Sequence, residues 1–120
     1  MKDMLMKPKI WLIVIAIMHS VVGIIVPVVQ MGGNKDDLAI VLYFLVVSVY
    51  LMYVALMMEG KIQARLAVVL CAPVIVWFTI SGIMNLEMMG SPVAELPSAL
   101  VPLILWGLPT ITGILNWNKD

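Results

Sequence analysis

Charge is scarce in this sequence, and cysteine is scarcer. Asp, Glu, Lys and Arg make up 12% of the 120 residues, as seven basic and seven acidic side chains. The chain therefore has neither a basic footprint for nucleic acid nor an acidic tail. A single cysteine, Cys71, excludes an intramolecular disulfide. With one histidine and no carboxylate in the apolar runs, too few ligands remain for a zinc site, and no second ligand beside His19 marks a haem. No metal or cofactor is expected. The sequence also lacks a His-Glu-x-x-His pair, a nucleophile elbow and a phosphate-binding glycine loop. Ser20 follows His19 directly, but neighbouring residues on a helix do not face each other. No enzyme is expected.

What the sequence has in excess is apolar residues, 63% of the chain, more than a soluble domain of this size could bury. Four runs contain no Asp, Glu, Lys or Arg: residues 10–29, 38–58, 66–84 and 99–115. At 1.5 Å per residue each reaches roughly 25 to 31 Å, the depth of a hydrocarbon core. In lipid an isolated strand would leave its backbone unpaired, so all four are expected to be helices of one integral membrane domain. The first run follows Lys2, Lys7 and Lys9 as a secretory signal would, but its length and the lack of an Ala-x-Ala end mark it as a retained span.

The connections are polar. Residues 31–37 form a glycine-rich turn in which Asn34 or Asp36 is placed to cap the second helix, and residues 59–65 form the second turn. Residues 85–98 are the longest connection, and Pro92 and Pro97 argue against a helix there. Threading four spans puts Lys2, Lys7, Lys9, Lys61, Arg65 and Lys119 on one side and Lys35 alone on the other, so both termini are expected in the cytoplasm. Trp11 and Trp117 fall at that same boundary, where indole rings favour the interface.

The last two spans share a pattern. Thr79 to Asn85 reads TISGIMN and Thr110 to Asn116 reads TITGILN, each preceded by Pro-x-x-x-Trp at Pro73 with Trp77 and Pro102 with Trp106. One reading is an inverted repeat of the kind that builds transporters; the other is the small-residue chemistry of close helix packing. Pro73, Pro102 and Pro109 are expected to bend the third and fourth helices.

Within the spans, His19 is the ionisable residue nearest the midplane and shares a small, polar face with Ala16, Ser20 and Gly23. Its readings are an interhelical hydrogen bond or a proton-relay or ligand site. Tyr43, Tyr50 and Tyr53 lie along one face of the second helix; Tyr50 and Tyr53 with Met57 are candidates to line a pocket or to hydrogen-bond across helices. A comparable stripe of Cys71, Val74, Phe78, Ser81 and Asn85 runs along the third helix, and both stripes are expected to face inward. The candidate ligand-contacting set is His19, Ser20, Tyr50, Tyr53, Trp77, Ser81 and Trp106. The methionines gather at both ends of the spans, which reads as apolar filling and not as a copper site.

Trp11, His19 eight residues on, and Gly23 four beyond it resemble the first span of an uncharacterised family of small bacterial four-span membrane proteins with a His-x-x-x-Gly step. The resemblance covers the first helix and the span spacing, and implies a bacterial plasma membrane. Small multidrug exporters are similar in size, but their first-span glutamate has no counterpart here. The expectation is an all-α, four-helix transmembrane bundle, N-in and C-in. It would act without catalysis as an accessory protein that binds lipid, a membrane-protein partner or a second copy of itself. The alternative is a proton-linked carrier or binding protein for a small apolar molecule, using His19 in a homodimer.

Overall fold

A computed structural model describes residues 2–32, 35, 38–88, 91–95 and 98–119. Asn34, Asp36 and Pro97 lie outside them, so the expected cap on the second helix is not among the described features. A short helix α1 (Lys2–Leu5) leads into α2 (Pro8–Ser20), a π-helical turn (Val21–Ile25) and α3 (Val26–Met31). Then come α4 (Leu38–Met57), α5 (Gly60–Ile83), a two-stranded ribbon of β1 (Glu87–Met88) and β2 (Ser91–Pro92), and α6 (Leu100–Leu115). Three segments are long and apolar enough to cross a membrane: residues 8–30, 38–57 and 60–83. The fourth, α6, has 16 residues and spans roughly 24 Å at 1.5 Å per residue. The bundle measures 46 × 29 × 23 Å.

The helices bury narrow seams. On α4 the seam is Val41, Ser48, Leu51, Val54 and Ala55; on α5 it is Gln63, Ala64, Ala67, Cys71 and Ser81, repeating at the three-and-four spacing that keeps side chains on one helix face. The α5 stripe therefore faces inward as expected, apart from Asn85, which lies beyond the helix. The tyrosines are not part of the buried seam. Tyr43, Tyr50 and Tyr53 are 66%, 55% and 53% exposed, because each of the first two follows a buried position by two residues, about 200° round the helix.

The second turn is far shorter than its charges suggest. Lys61, Gln63 and Arg65 already belong to α5, since absence of charge delimits a lipid-crossing run and not a helix. The chain reverses within Met58, Glu59 and Gly60, with Gly60 at φ +67°, a conformation that costs an L-residue about 1–2 kcal/mol. Gln63 locks this corner: buried, its amide nitrogen donates to the carbonyls of Val54 (3.2 Å), Ala55 (3.0 Å) and Met58 (2.9 Å). These carbonyls lie at and just past the end of α4, where helical partners run out, although Val54 O also accepts from Met58 N–H (3.3 Å). Gln63→Leu keeps the bulk but strands them, so it is expected to cost about 2–3 kcal/mol, read as a lower unfolding midpoint by circular dichroism in detergent.

Both termini meet at the same end of the bundle. Asn116 Nδ2 donates to Met6 O (2.7 Å), Arg65 Nε donates to Trp117 O (3.0 Å), and the Arg65 guanidinium lies 5.3 Å from the centre of the Trp117 ring. Trp11 Nε1 donates to Leu5 O (2.7 Å). This is here called the terminal end, and the opposite one distal.

The prolines of α5 and α6 sit in two settings. Pro102 falls in the first turn of α6, where its missing N–H has no partner to lose, and Pro73 and Pro109 sit inside helices that continue through them. Hydroxyls of Thr110 and Thr112 bond to the carbonyls of Trp106 (2.9 Å) and Leu108 (2.8 Å) in the turns around Pro109, a common way for membrane helices to accommodate proline. A further backbone irregularity lies in the first span. There Val26 N–H bonds to Val21 O, five residues back, just ahead of Pro27, which has no N–H to give to Gly23 O.

Candidate functional site

The helices do not close on one another evenly. α5 packs most extensively with α6 and α2 with α4, whereas α4 and α5, pinned at the Gln63 corner, otherwise touch little. The terminal half is solid: Leu12, Ile15, Ala16, Leu51, Val54, Ala55, Ala67 and Cys71 form one buried cluster with Trp106. Beyond it, in the distal half, lies a cavity of about 750 Å³. Its walls are Met18, His19, Val22 and Gly23 from the first span, Tyr43, Phe44, Val47 and Tyr50 from α4, Val69, Pro73, Val74, Trp77 and Phe78 from α5, and Val101, Pro102, Leu105 and Trp106 from α6. Val93, in the loop after the β-ribbon, closes the distal side, held by Val93 N–H to Leu86 O (3.0 Å).

Trp106 at the cavity's base is 5% exposed, while Tyr43, Tyr50, Val69 and Trp77 on the α4 and α5 walls, Met18 and Val22 on the first span and Val101 on α6 are exposed. Because α4 and α5 touch little along these walls, the cavity is open at the side of the bundle between them.

His19 occupies the first-span wall. Its Nε2 lies 2.9 Å from Phe44 O; a carbonyl only accepts, so Nε2 carries the hydrogen and, in the neutral ring, Nδ1 is left as an acceptor. The ring stands edge-on to Phe44 (5.3 Å, 69°) and Trp106 (5.5 Å, 75°), the arrangement aromatic quadrupoles favour. Gly23 faces this group: a Cβ there would lie 3.4 Å from His19 Cε1, His19 Nδ1 and Phe44 Cδ2, at ordinary contact distance. One turn away the Ser20 hydroxyl bonds to Ala16 O (2.7 Å) and shares a 3.0 Å hydrogen bond with Ser48. The small, polar face of the first span is thus the contact with α4.

Of the candidate ligand-contacting residues, the fold brings His19, Tyr50, Trp77 and Trp106 to one cavity. Ser20 is used in helix packing. Tyr53 lies instead on a shallow groove with Ser48, Val49, Met52, Leu56 and Met57. Ser81, 1% exposed, lies outside the cavity wall, and its Oγ is the enclosed polar atom left without a partner among the described residues. Tyr43, Phe44 and the aliphatic walls were not singled out as ligand contacts from sequence; Tyr43 shares a face with Tyr50, but Phe44 carried no signal because α4 is apolar all round. Among the described residues no cluster of His, Cys, Asp or Glu could hold a metal.

The two copies of the shared pattern serve different contacts. Gly113 lies against the backbone of Ala64, whereas Gly82 faces Ala94 at ordinary distance. Asn85, at φ +55°, ends α5 in a left-handed cap with Leu86 N–H bonded to Ser81 O (2.9 Å), while Asn116 reaches Met6. Both threonines simply bond back to the carbonyl four residues earlier.

The fold thus defines an all-helical bundle with membrane-length apolar helices and one side-opening aromatic cavity. No family model, curated protein or solved structure matches this chain, so the resemblance of its first helix rests on Trp11, His19 and Gly23 alone.

Proposed function

We propose that this chain is a non-catalytic integral membrane protein of a bacterial plasma membrane, crossing it four times with both termini cytoplasmic, and that it binds an apolar molecule taken from the bilayer. The observation that carries this reading is the division of the bundle into a solid terminal half and a hollow distal half. Helix interiors close-pack when nothing prevents them, and a cavity of about 750 Å³ lies within the size range of small-molecule sites. Its sideways opening, flanked by exposed apolar side chains, suits a ligand that arrives through lipid. The binding protein would act as an accessory, holding or presenting its ligand to a membrane-protein partner.

Calorimetric titration of the purified protein in detergent with naphthalene is expected to give saturable binding near one site per chain; a featureless titration overturns the reading. The orientation has its own test. In a Cys71→Ser background, Lys35→Cys is expected to react with a membrane-impermeant maleimide in intact cells, and Lys119→Cys only after lysis. The reverse pattern contradicts it.

A proton-linked, homodimeric carrier is the second reading, favoured by the unbonded Nδ1 of His19 on the cavity wall. The two readings part at His19→Leu. A binding protein loses one interhelical hydrogen bond, about 1 kcal/mol, and keeps its ligand, whereas a carrier loses pH-dependent binding. We expect retained, pH-independent binding, measured by the same titration across pH 5 to 8.

A further inference from the structure

We propose that the distal cavity is built for a lipid-soluble quinone, an uncharged flat ring bearing carbonyl acceptors on an isoprenoid tail. This rests on the reading of the cavity as an apolar-ligand site and names the ligand's class.

Donors predominate among the polar side-chain groups on the walls, beside the acceptor Nδ1 of His19. Tyr43 and Tyr50 bring hydroxyls, and Trp77 and Trp106 bring indole N–H groups that can only donate. None of the four has a hydrogen-bond partner among the described residues. Trp106 is nineteen-twentieths buried yet its Nε1 is not among the enclosed orphan atoms, so this unbonded donor remains reachable on a residue that forms the cavity wall. A plain hydrocarbon would leave these donors dry and unpaired, which is costly. A ring carbonyl satisfies them.

Charge and shape narrow the class further. Among the described residues no Lys, Arg, Asp or Glu lines the cavity, so a phosphate headgroup, a fatty-acid carboxylate or an amine would be desolvated there without a counter-charge. The walls are rich in rings, and His19, Phe44 and Trp106 already stand edge to face at 5.3 and 5.5 Å, a setting that favours a flat aromatic-like guest over a glycerol ester. The open α4–α5 side leaves a path for an apolar tail into lipid. Only binding is inferred: Cys71, the lone thiol, is not on the cavity wall, and no electron transfer is assigned to the chain.

The test compares two rings that differ only in their carbonyls. Full-length protein in detergent is titrated with 2-prenyl-1,4-naphthoquinone and with 2-prenylnaphthalene, for the native chain, Trp106→Phe and Tyr50→Phe. The quinone is expected to bind at least tenfold more tightly than the naphthalene. Trp106→Phe keeps the ring and removes the N–H, so it is expected to weaken the quinone five- to tenfold and leave the naphthalene unchanged. Tyr50→Phe, on an exposed side chain that does not support the core, is expected to act in the same direction and guards against a folding defect in the first variant. Equal affinity for the two rings, or equal losses in the variants, overturns the quinone assignment while leaving an apolar-ligand site. Displacement of the quinone by an equimolar phosphatidylglycerol also overturns it, since the occupant would then be an ester lipid. Failure of both rings to bind removes the site reading itself, and the quinone with it.

Discussion

Gly113→Ala is expected to destabilise the bundle by about 2–3 kcal/mol, the cost of overpacking a close contact. A Cβ at this position would sit 2.6 Å from Ala64 O and 2.8 Å from Val68 Cγ2. The first of these is backbone within α5 and cannot swing aside as a side chain would, so α5 and α6, the most extensively packed pair, would have to separate. Two controls come from the same chain. At Gly107 an added Cβ meets nothing within 4 Å, and Gly107→Ala is expected to stabilise α6 by up to about 1 kcal/mol through helix propensity. At Gly82 the nearest atom is Ala94 Cβ at 3.4 Å, an ordinary contact, and Gly82→Ala is expected to lie near neutral. Unfolding midpoints of the three variants in one detergent decide the matter. If Gly82→Ala and Gly113→Ala lose equally, the shared T-I-[ST]-G pattern is a true structural repeat and the unequal packing described above is wrong.

Val74→Trp is the second large effect, and it falls on binding and not on stability. Val74 is half-buried where the α5 wall meets the core, with its remaining surface on the cavity. An indole there has open space to enter, so the helices need not move, but the ligand's volume is taken. Binding of naphthalene is expected to fall by more than tenfold, beyond about 1.4 kcal/mol, while helicity and unfolding midpoint stay near native. A variant that binds normally would place the ligand elsewhere. Val49→Trp, in the shallow groove that holds Tyr53, serves as the control expected to bind as the native chain does.

How much of this was legible in the sequence depended on whether charge or packing decided the outcome. Charge-free runs located the four long helices well, because an Asp or Lys in mid-span is too costly to hide. They misplaced the start of α5 by six residues, since a helix continues through charged residues wherever its backbone is unbroken; the signal available was Gly60. The face of the first span was readable from Ala16, His19, Ser20 and Gly23, where small and polar residues stand out against an apolar background. α4 offered no such contrast. Its tyrosines drew attention by size, yet Ser48, a small polar residue at the same spacing as Val41 and Ala55, marks the buried seam.

The cavity was not legible, although three of the residues on its wall had been singled out as candidates alongside His19's own face. A hollow arises from where helices fail to meet, and α4 and α5 are pinned at one end by Gln63 while no comparable contact among the described residues draws them together at the other. Gln63 could have been noticed as an amide just past a helix end, where unpaired carbonyls need donors. The π-helical turn had a signal as well: Pro27 follows Gly23 by four residues and so removes one hydrogen bond from the first span.

The central claim is that an apolar ligand sits in the distal cavity against Trp106. The most direct measurement uses a single-tryptophan protein, with Trp11, Trp77 and Trp117 replaced by phenylalanine, titrated with 1-bromonaphthalene, whose bromine quenches indole fluorescence on contact. Saturable quenching near one equivalent, lost when Val74→Phe fills the cavity in the same single-tryptophan background, is the predicted result. Quenching that rises linearly with probe, as it would for a ring that meets the probe only through the surrounding detergent, would contradict it.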